Sequence, residues 1–251
     1  MATCYVAVQE PSGAFSVRWE GGGPLATPAG RGVVTLPTRA LAEAVAEALR
    51  PPESPLGARW IQRARAGLPL PPPVPPLLPL VFTALDMSPE ARAKKAHRLV
   101  HGLLAGGDVV CYRAPRPEDL ARRQAVLCDS LLEWCANALG SRLNATEGVM
   151  PRAQPPEALD ALGRVIGAYD AFRFVALADV AEATGSLVLA VALSECFRDV
   201  DGVMEVATLE DADRALGVGE DPFLAARRAS LREDITLAAK WFALLTEESA
   251  S

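Results

Sequence analysis

Residues 108–140 read DVVCYRAPRPEDLARRQAVLCDSLLEWCANALG, and the interpretation of the fold starts from this stretch. It begins with a short apolar run, Val109 to Tyr112, which favours a strand or an extended segment, and the chain breaks at Pro115 and Pro117. Apolar residues then recur at helical spacing, which predicts a long helix with one buried face. Gly140 is suited to end this helix because glycine readily adopts the left-handed conformation found there.

The residues before this stretch predict a small β-rich part and a proline-rich connector. Residues 3–9 and 14–20 alternate in polarity and predict a hairpin, and residues 33–36 predict a third strand. Thr38 is placed to cap the helix that follows it. The segment LPLPPPVPPLLPL, residues 68–80, contains seven prolines and is expected to be a connector that packs along a surface.

The residues after the connector are predicted to be helical almost throughout. One helix begins with Ser88 as its cap and runs to about residue 104. Further helices are predicted after the long one, at 157–169, 171–183, 186–197, 202–216 and 222–246. Asp170, Asp201 and Asp221 are read as caps between them. Residues 187–193 are apolar nearly all round, so their helix should lie at the centre.

These patterns together predict an α+β fold with two domains. The first is a small β-rich N-terminal domain with a helix, at residues 1–67, and the connector occupies residues 68–80. A larger all-helical C-terminal domain follows, at residues 81–251.

Composition limits the partners and the compartment. The formal net charge is -6 and the isoelectric point about 5.1, which argues against nucleic acid or an anionic membrane as the main partner. The five cysteines are odd in number and show no CxxC spacing, as expected of reduced thiols in a cytosol. No leader is recognisable, and no apolar run approaches the roughly twenty residues of a membrane-spanning helix. We expect a cytoplasmic protein without membrane insertion.

The sequence predicts no catalytic centre, no metal site and no cofactor. His97 and His101 are four residues apart on a predicted helix, but a metal site at this pair would need a third ligand. Cys111 could act as a thiol nucleophile beside these histidines, although a small buried core residue explains it more simply. The glycine clusters follow neither of the common nucleotide-binding spacings. A binding or scaffolding role is therefore favoured, and a thiol-dependent enzyme or regulator using Cys111 with His97 or His101 is the alternative.

Several motifs occur in the order found in one known family. They are PLATP with VVTLPTRALAEAVAEAL, PLVFTALD at 79–86, the CYR helix with Trp134, TGSLVLAVAL at 184–193, and LEDADRALGVGEDP from Leu209. In this order they resemble the assembly chaperones that serve the α subunit of the F-type ATP synthase head. Leu49 and Val218 stand where that family has tryptophan, so the chain resembles a diverged bacterial member.

The resemblance implies an ATP-independent chaperone without a cofactor. Such a protein binds the unassembled α subunit and protects it from aggregation until α pairs with the β subunit. We expect it to act as a monomer. A permanent structural subunit of a complex is a further possibility.

The resemblance also points to candidate binding residues, because the family implicates an acidic residue in the segment after Leu209. Glu210 and Asp211 are the first candidates for contact with the α subunit, and Glu220 and Asp221 are the second. The alternative for all four is that they are ordinary solvated charges on helices.

Overall fold

The computed structural model of the protein describes residues 4–27, 32–51, 54–65, 68, 70, 73–148, 150–219 and 221–246. Its contacts divide the chain into two compact units, residues 1–87 with 240–251, and residues 88–239. The fold is α+β, as predicted, with an antiparallel sheet in the first unit and a helical second unit. That the segments 1–67, 68–80 and 81–251 are separate domains and a connector stays a prediction.

The first unit is built on a three-stranded antiparallel sheet with the order β1–β2–β3. The strands are β1 (Tyr5–Gln9), β2 (Phe15–Trp19) and β3 (Thr35–Leu36). Tyr5 pairs with Trp19, and their rings meet edge to face at 5.2 Å, both buried. The predicted hairpin is therefore confirmed, and the third strand is shorter than expected.

The helices that follow in the described part of the first unit are α1 (Arg39–Ala48), α2 (Pro55–Arg65) and α3 (Leu77–Asp86). Thr38 caps α1 as predicted, since its side chain accepts a hydrogen bond from the backbone N–H of Leu41 at 3.2 Å. The same hydroxyl donates to the backbone oxygen of Leu244 at 2.6 Å, which joins the start of α1 to residues near the C-terminus.

The proline-containing part of this unit is more helical than the sequence predicts. Pro55 begins α2, which was not predicted, and α3 begins at Leu77, inside the predicted connector. The reason is that a proline in the first turn of a helix loses no intrahelical hydrogen bond, and Pro79 occupies such a place in α3. Residues 69, 71 and 72 of the predicted connector lie outside the described residues.

In the described residues of the second unit, the regular structure is helical apart from one short parallel pair of strands, β4 (Tyr112–Arg113) with β5 (Thr146–Glu147). Its helices are α4 (Pro89–Arg98), α5 (Ala105–Gly107), α6 (Glu118–Ala138), α7 (Pro156–Gly167), α8 (Ala171–Thr184), α9 (Leu187–Ser194), α10 (Val200–Ala207), α11 (Leu209–Val218) and α12 (Pro222–Thr246), whose last residues count with the first unit. A π-helical segment, Leu99–Leu104, continues α4. Every residue of α9 is buried, which confirms the prediction that this helix is central.

Two predictions about this unit were wrong in detail. Val109–Cys111 forms a 3₁₀ turn instead of a strand, because the carboxylate of Asp108 accepts a hydrogen bond from Val110 N at 3.1 Å and tightens the chain. The predicted helix 202–216 is divided at Thr208, whose backbone is non-helical and begins α11. Asp199, rather than Asp201, caps α10.

Asp170 caps α8 as predicted, and Ser88 caps α4. None of the helices within the described ranges is both long and apolar enough to cross a membrane.

Candidate functional site

A cleft of about 680 Å³ lies between the start of the 108–140 stretch and α11. Its walls mix apolar and charged side chains with backbone, and are formed by Gly107, Val109, Tyr112, Arg113, Ala114, Pro115, Arg116, Leu120, Gly148, Glu210, Asp213 and Arg214. The cleft therefore joins two segments that the sequence singled out separately, the CYR motif and the acidic segment after Leu209.

The buried carboxylate of Asp108 holds the first of these segments in place. One of its oxygens accepts hydrogen bonds from Ser186 Oγ at 2.6 Å and from Val110 N at 3.1 Å, and the other accepts one from Val188 N at 3.1 Å. It thus connects the 3₁₀ turn to the first turn of the central helix α9. Complete burial raises the pKa of Asp108, while its hydrogen-bond donors act in the opposite direction.

Arg113 is fixed in the wall of the cleft by backbone carbonyl groups of the preceding residues and by Asp129 of α6. Its guanidinium donates to the carbonyl oxygens of Val110 at 2.8 Å and Tyr112 at 2.7 Å, and it forms an ion pair with Asp129. Only 13% of the Arg113 side chain is exposed. The arginine is therefore a rigid part of the site, since most of its donors are already engaged.

Glu210 reaches this segment through a buried glutamine. Gln124 on α6 is 4% exposed, and its side-chain oxygen accepts a hydrogen bond from Ala114 N at 2.5 Å. The Gln124 side-chain nitrogen donates to the carboxylate of Glu210 at 3.0 Å. Glu210 itself is exposed at the edge of the cleft. One carboxylate is thus oriented from inside the protein and still open to solvent.

The other acidic candidates are placed differently. Asp211 is 23% exposed and lies between two arginines, 3.8 Å from Arg214 and 3.9 Å from Arg227. Asp221 accepts a hydrogen bond from the backbone N–H of Phe223 at 2.8 Å and so caps α12, as predicted. Glu220 lies outside the described residues. The structure thus brings Glu210 into the cleft and engages Asp211 and Asp221 in contacts within the chain.

Sequence reasoning missed Asp108 and Gln124, which orient the cleft. Asp108 was noted only as the first residue of the 108–140 stretch, and Gln124 was not singled out. The one signal for Gln124 was its place in the helical period of α6, which predicts that this polar residue is buried. A buried amide needs hydrogen-bond partners.

The cysteine and histidines of the alternative hypothesis do not have the environment of a reactive pair. Cys111 is 2% exposed, and burial raises the pKa of its thiol, whereas a nucleophilic cysteine needs a lowered pKa. His97 and His101 are exposed, with ring centres 4.2 Å apart, and they line another cleft of about 670 Å³ beside α7. In the described part of the chain, no three His, Cys, Asp or Glu side chains are grouped so that they could hold a metal ion.

Comparison with solved structures identifies close structural relatives along nearly the whole chain. Atp12 from Paracoccus denitrificans is 27% identical with a TM-score of 0.81, and the match covers 98% of this chain and 97% of that one. A mutant of that protein with one aspartate changed to lysine gives 28% identity, a TM-score of 0.82 and the same coverage. A proposed chaperone from Agrobacterium tumefaciens is 29% identical with a TM-score of 0.79, over 99% of this chain and 85% of that one. No protein-family model and no curated protein sequence matches significantly.

Proposed function

Because this chain belongs to the Atp12 family of ATPase assembly factors, we propose that it is the chaperone of the unassembled α subunit of F-type ATP synthase. It binds α as a monomer in the bacterial cytoplasm and releases α when the β subunit is available. The binding is independent of ATP and of any cofactor, and no catalytic step is involved. The support is the match to Atp12 from end to end, together with a sequence that has no nucleotide-binding pattern.

The binding site in this proposal is the cleft that Glu210 borders. An isolated subunit exposes apolar surface that is later buried by its neighbours, and such surfaces aggregate. The apolar walls of the cleft, from Val109, Pro115 and Leu120, suit a segment of that kind. Glu210 supplies a carboxylate for a lysine or arginine at the edge of the segment, and the net charge of -6 favours encounter with a basic surface.

The observation that carries the proposal is the contact from Ala114 through Gln124 to Glu210. It orients an exposed carboxylate beside a cleft with apolar and charged walls before any partner arrives. Preorganisation of this kind lowers the entropy cost of binding. Among the four acidic candidates, Glu210 is therefore the residue that we assign to direct contact with α, while Asp211 and Asp221 support the helices around it.

The test is co-purification of tagged protein with soluble α subunit, comparing Glu210→Lys with the control Glu133→Lys. Glu133 is an exposed acidic residue on α6 and does not line the cleft, so both variants change the net charge equally. We expect Glu210→Lys to weaken the retention of α about tenfold or more, because a like charge then faces the partner's basic group. Glu133→Lys should bind as the wild type does.

Two results would count against the proposal. Equal retention of α by both variants would remove Glu210 from the interface. Failure of the folded wild-type protein to keep α soluble would reject the chaperone function itself. Unfolding curves of both variants are needed to show that each remains folded.

A further inference from the structure

The C-terminal part of the second unit contains a long segment, residues 211–219 and 221–234, in which every side chain that the structure describes is half-buried or exposed. Leu209 just before it and Ile235 just after it are buried. The segment comprises nearly all of α11 and the first half of α12. We name residues 211–219 and 221–230 the arm. Helical segments with no buried side chain among those described gain little from packing within the chain, which favours a contact with another protein.

The arm carries an apolar stripe that leaves the core. Leu209, Ala212 and Leu216 are spaced by three and four residues and so lie on one face of α11. Leu209 is 3% exposed, Ala212 is half-buried and Leu216 is 82% exposed. At the start of α12, Phe223 is 75% exposed. Two large apolar side chains are therefore presented to solvent, one near the end of α11 and one at the start of α12.

Ion pairs and a cap hold this part of the chain in position. Asp211 lies within 4 Å of Arg214 on α11 and of Arg227 on α12, so it ties the two helices to each other. Gly219 ends α11 with a φ of +87°, and Asp221 caps α12 through Phe223 N. Leu216 and Phe223 thus lie on helices whose ends are held by contacts within the chain.

We infer that the arm extends the Glu210 cleft into a second, apolar contact for the same partner, the unassembled α subunit. This inference rests on the proposed function. Glu210 and Asp213 on α11 line the cleft, and Leu216 follows Asp213 by three residues, so the charged edge of the cleft continues into the apolar stripe. The matching surface on the partner is an apolar segment, which covers Leu216 and Phe223, next to a basic residue that pairs with Glu210.

The experiment compares two double variants in the α co-purification and in a titration of affinity. Leu216→Ser with Phe223→Ser removes the apolar side chains of the arm. Val126→Ser with Met150→Ser is the control, because each of those residues is 75% exposed and lies outside both the arm and the cleft. We expect the arm variant to bind α roughly tenfold or more weakly, the loss typical of truncated apolar contacts, and the control variant to bind normally. Neither variant should change the unfolding midpoint, because all four side chains are exposed.

The outcomes separate this inference from the proposed function. If the wild type binds α and both double variants bind equally well, the arm is not part of the interface, while the chaperone function stands. If the wild type does not bind α, the proposed function fails first. If sedimentation shows a dimer of this chain that the arm variant loses while α binding is unchanged, the arm contacts a second copy, and the inference is overturned.

Discussion

At the scale of single residues, the cleft depends on buried polar groups that have hydrogen-bond partners. Asp108 and Gln124 each connect two elements distant in sequence, and all buried side-chain N and O atoms within the described residues have a partner. Burying a polar group without a hydrogen-bond partner costs free energy. When the group is paired, it favours one arrangement of the chain, because each donor must meet its acceptor. They define where the CYR segment lies relative to α9 and α6. Glu210 gains its orientation from this network while its charge stays outside.

The thiols allow a prediction that also tests the alternative function. Burial raises the pKa of Cys128 to about 11 and of Cys135 to about 12, and it raises the pKa of Cys111 as well. A raised pKa leaves less thiolate at a given pH, and the thiolate is the reactive species. At pH 8 we therefore expect iodoacetamide to modify exposed Cys196 first and partly exposed Cys4 next. The three buried cysteines should react only after unfolding, as measured by peptide mass spectrometry.

The same alkylated protein can be offered to the α subunit. Intact binding would agree with a chaperone that does not use its thiols. If Cys111 were modified as fast as Cys196 in the folded protein, the Cys111 thiol would not be buried. That result would favour the thiol hypothesis.

At the scale of elements, the turn before the CYR motif depends on one close approach. Gly107 has a φ of +124°, and a Cβ atom there would lie only 2.8 Å from Cζ of Tyr112. We expect Gly107→Ala to lower the free energy of unfolding by about 2–4 kcal/mol, from backbone strain and from the displaced ring. Gly106→Ala is the matched control, since its Cβ would have no neighbour closer than 4.0 Å. Its stability should be unchanged or slightly raised.

A double-mutant cycle separates the two causes of that loss. In a Tyr112→Ala background the ring clash is absent, so Gly107→Ala should cost less, by about 1–2 kcal/mol, as measured by urea unfolding. Equal costs in both backgrounds would show that the tyrosine ring does not contact this turn.

The elements also show what the sequence could predict and what it could not. Hydrophobic periodicity and capping residues were sufficient to predict α1, α4, α6 and α9. The apolar stripe of a helix and its first turn are local properties of the sequence. Local signals misled where a proline begins α2 or where Asp108 converts a β-like run into a 3₁₀ turn. The contact between Gln124 and Glu210 joins residues 86 positions apart, so no local pattern could reveal it. The resemblance gave the acidic candidates, but only the fold shows that Glu210 lines the cleft while Asp211 lies near two arginines.

At the scale of the whole molecule, the exposed Glu210 carboxylate, the cleft with its apolar and charged walls, and the arm with Leu216 and Phe223 all belong to the second unit. All three lie on, or next to, α11, so one partner surface could contact them together. An interface made from a few apolar residues with a charged rim is suited to release, because its affinity is limited while encounter remains fast. A chaperone needs both properties, since the protected surface must later be given to another subunit.

This requirement leads to a prediction about competition. If the chain covers surface on α that β later buries, α cannot hold both partners there at once. We expect β added to a preformed complex of the chain with α to release the chain as α and β pair. Permanent subunit interfaces are typically larger and more apolar than transient ones, which favours β. Native gels or sedimentation would follow the release, and bovine serum albumin in place of β is the control. A stable ternary complex, or this chain in purified synthase, would instead indicate the permanent subunit that the sequence left open.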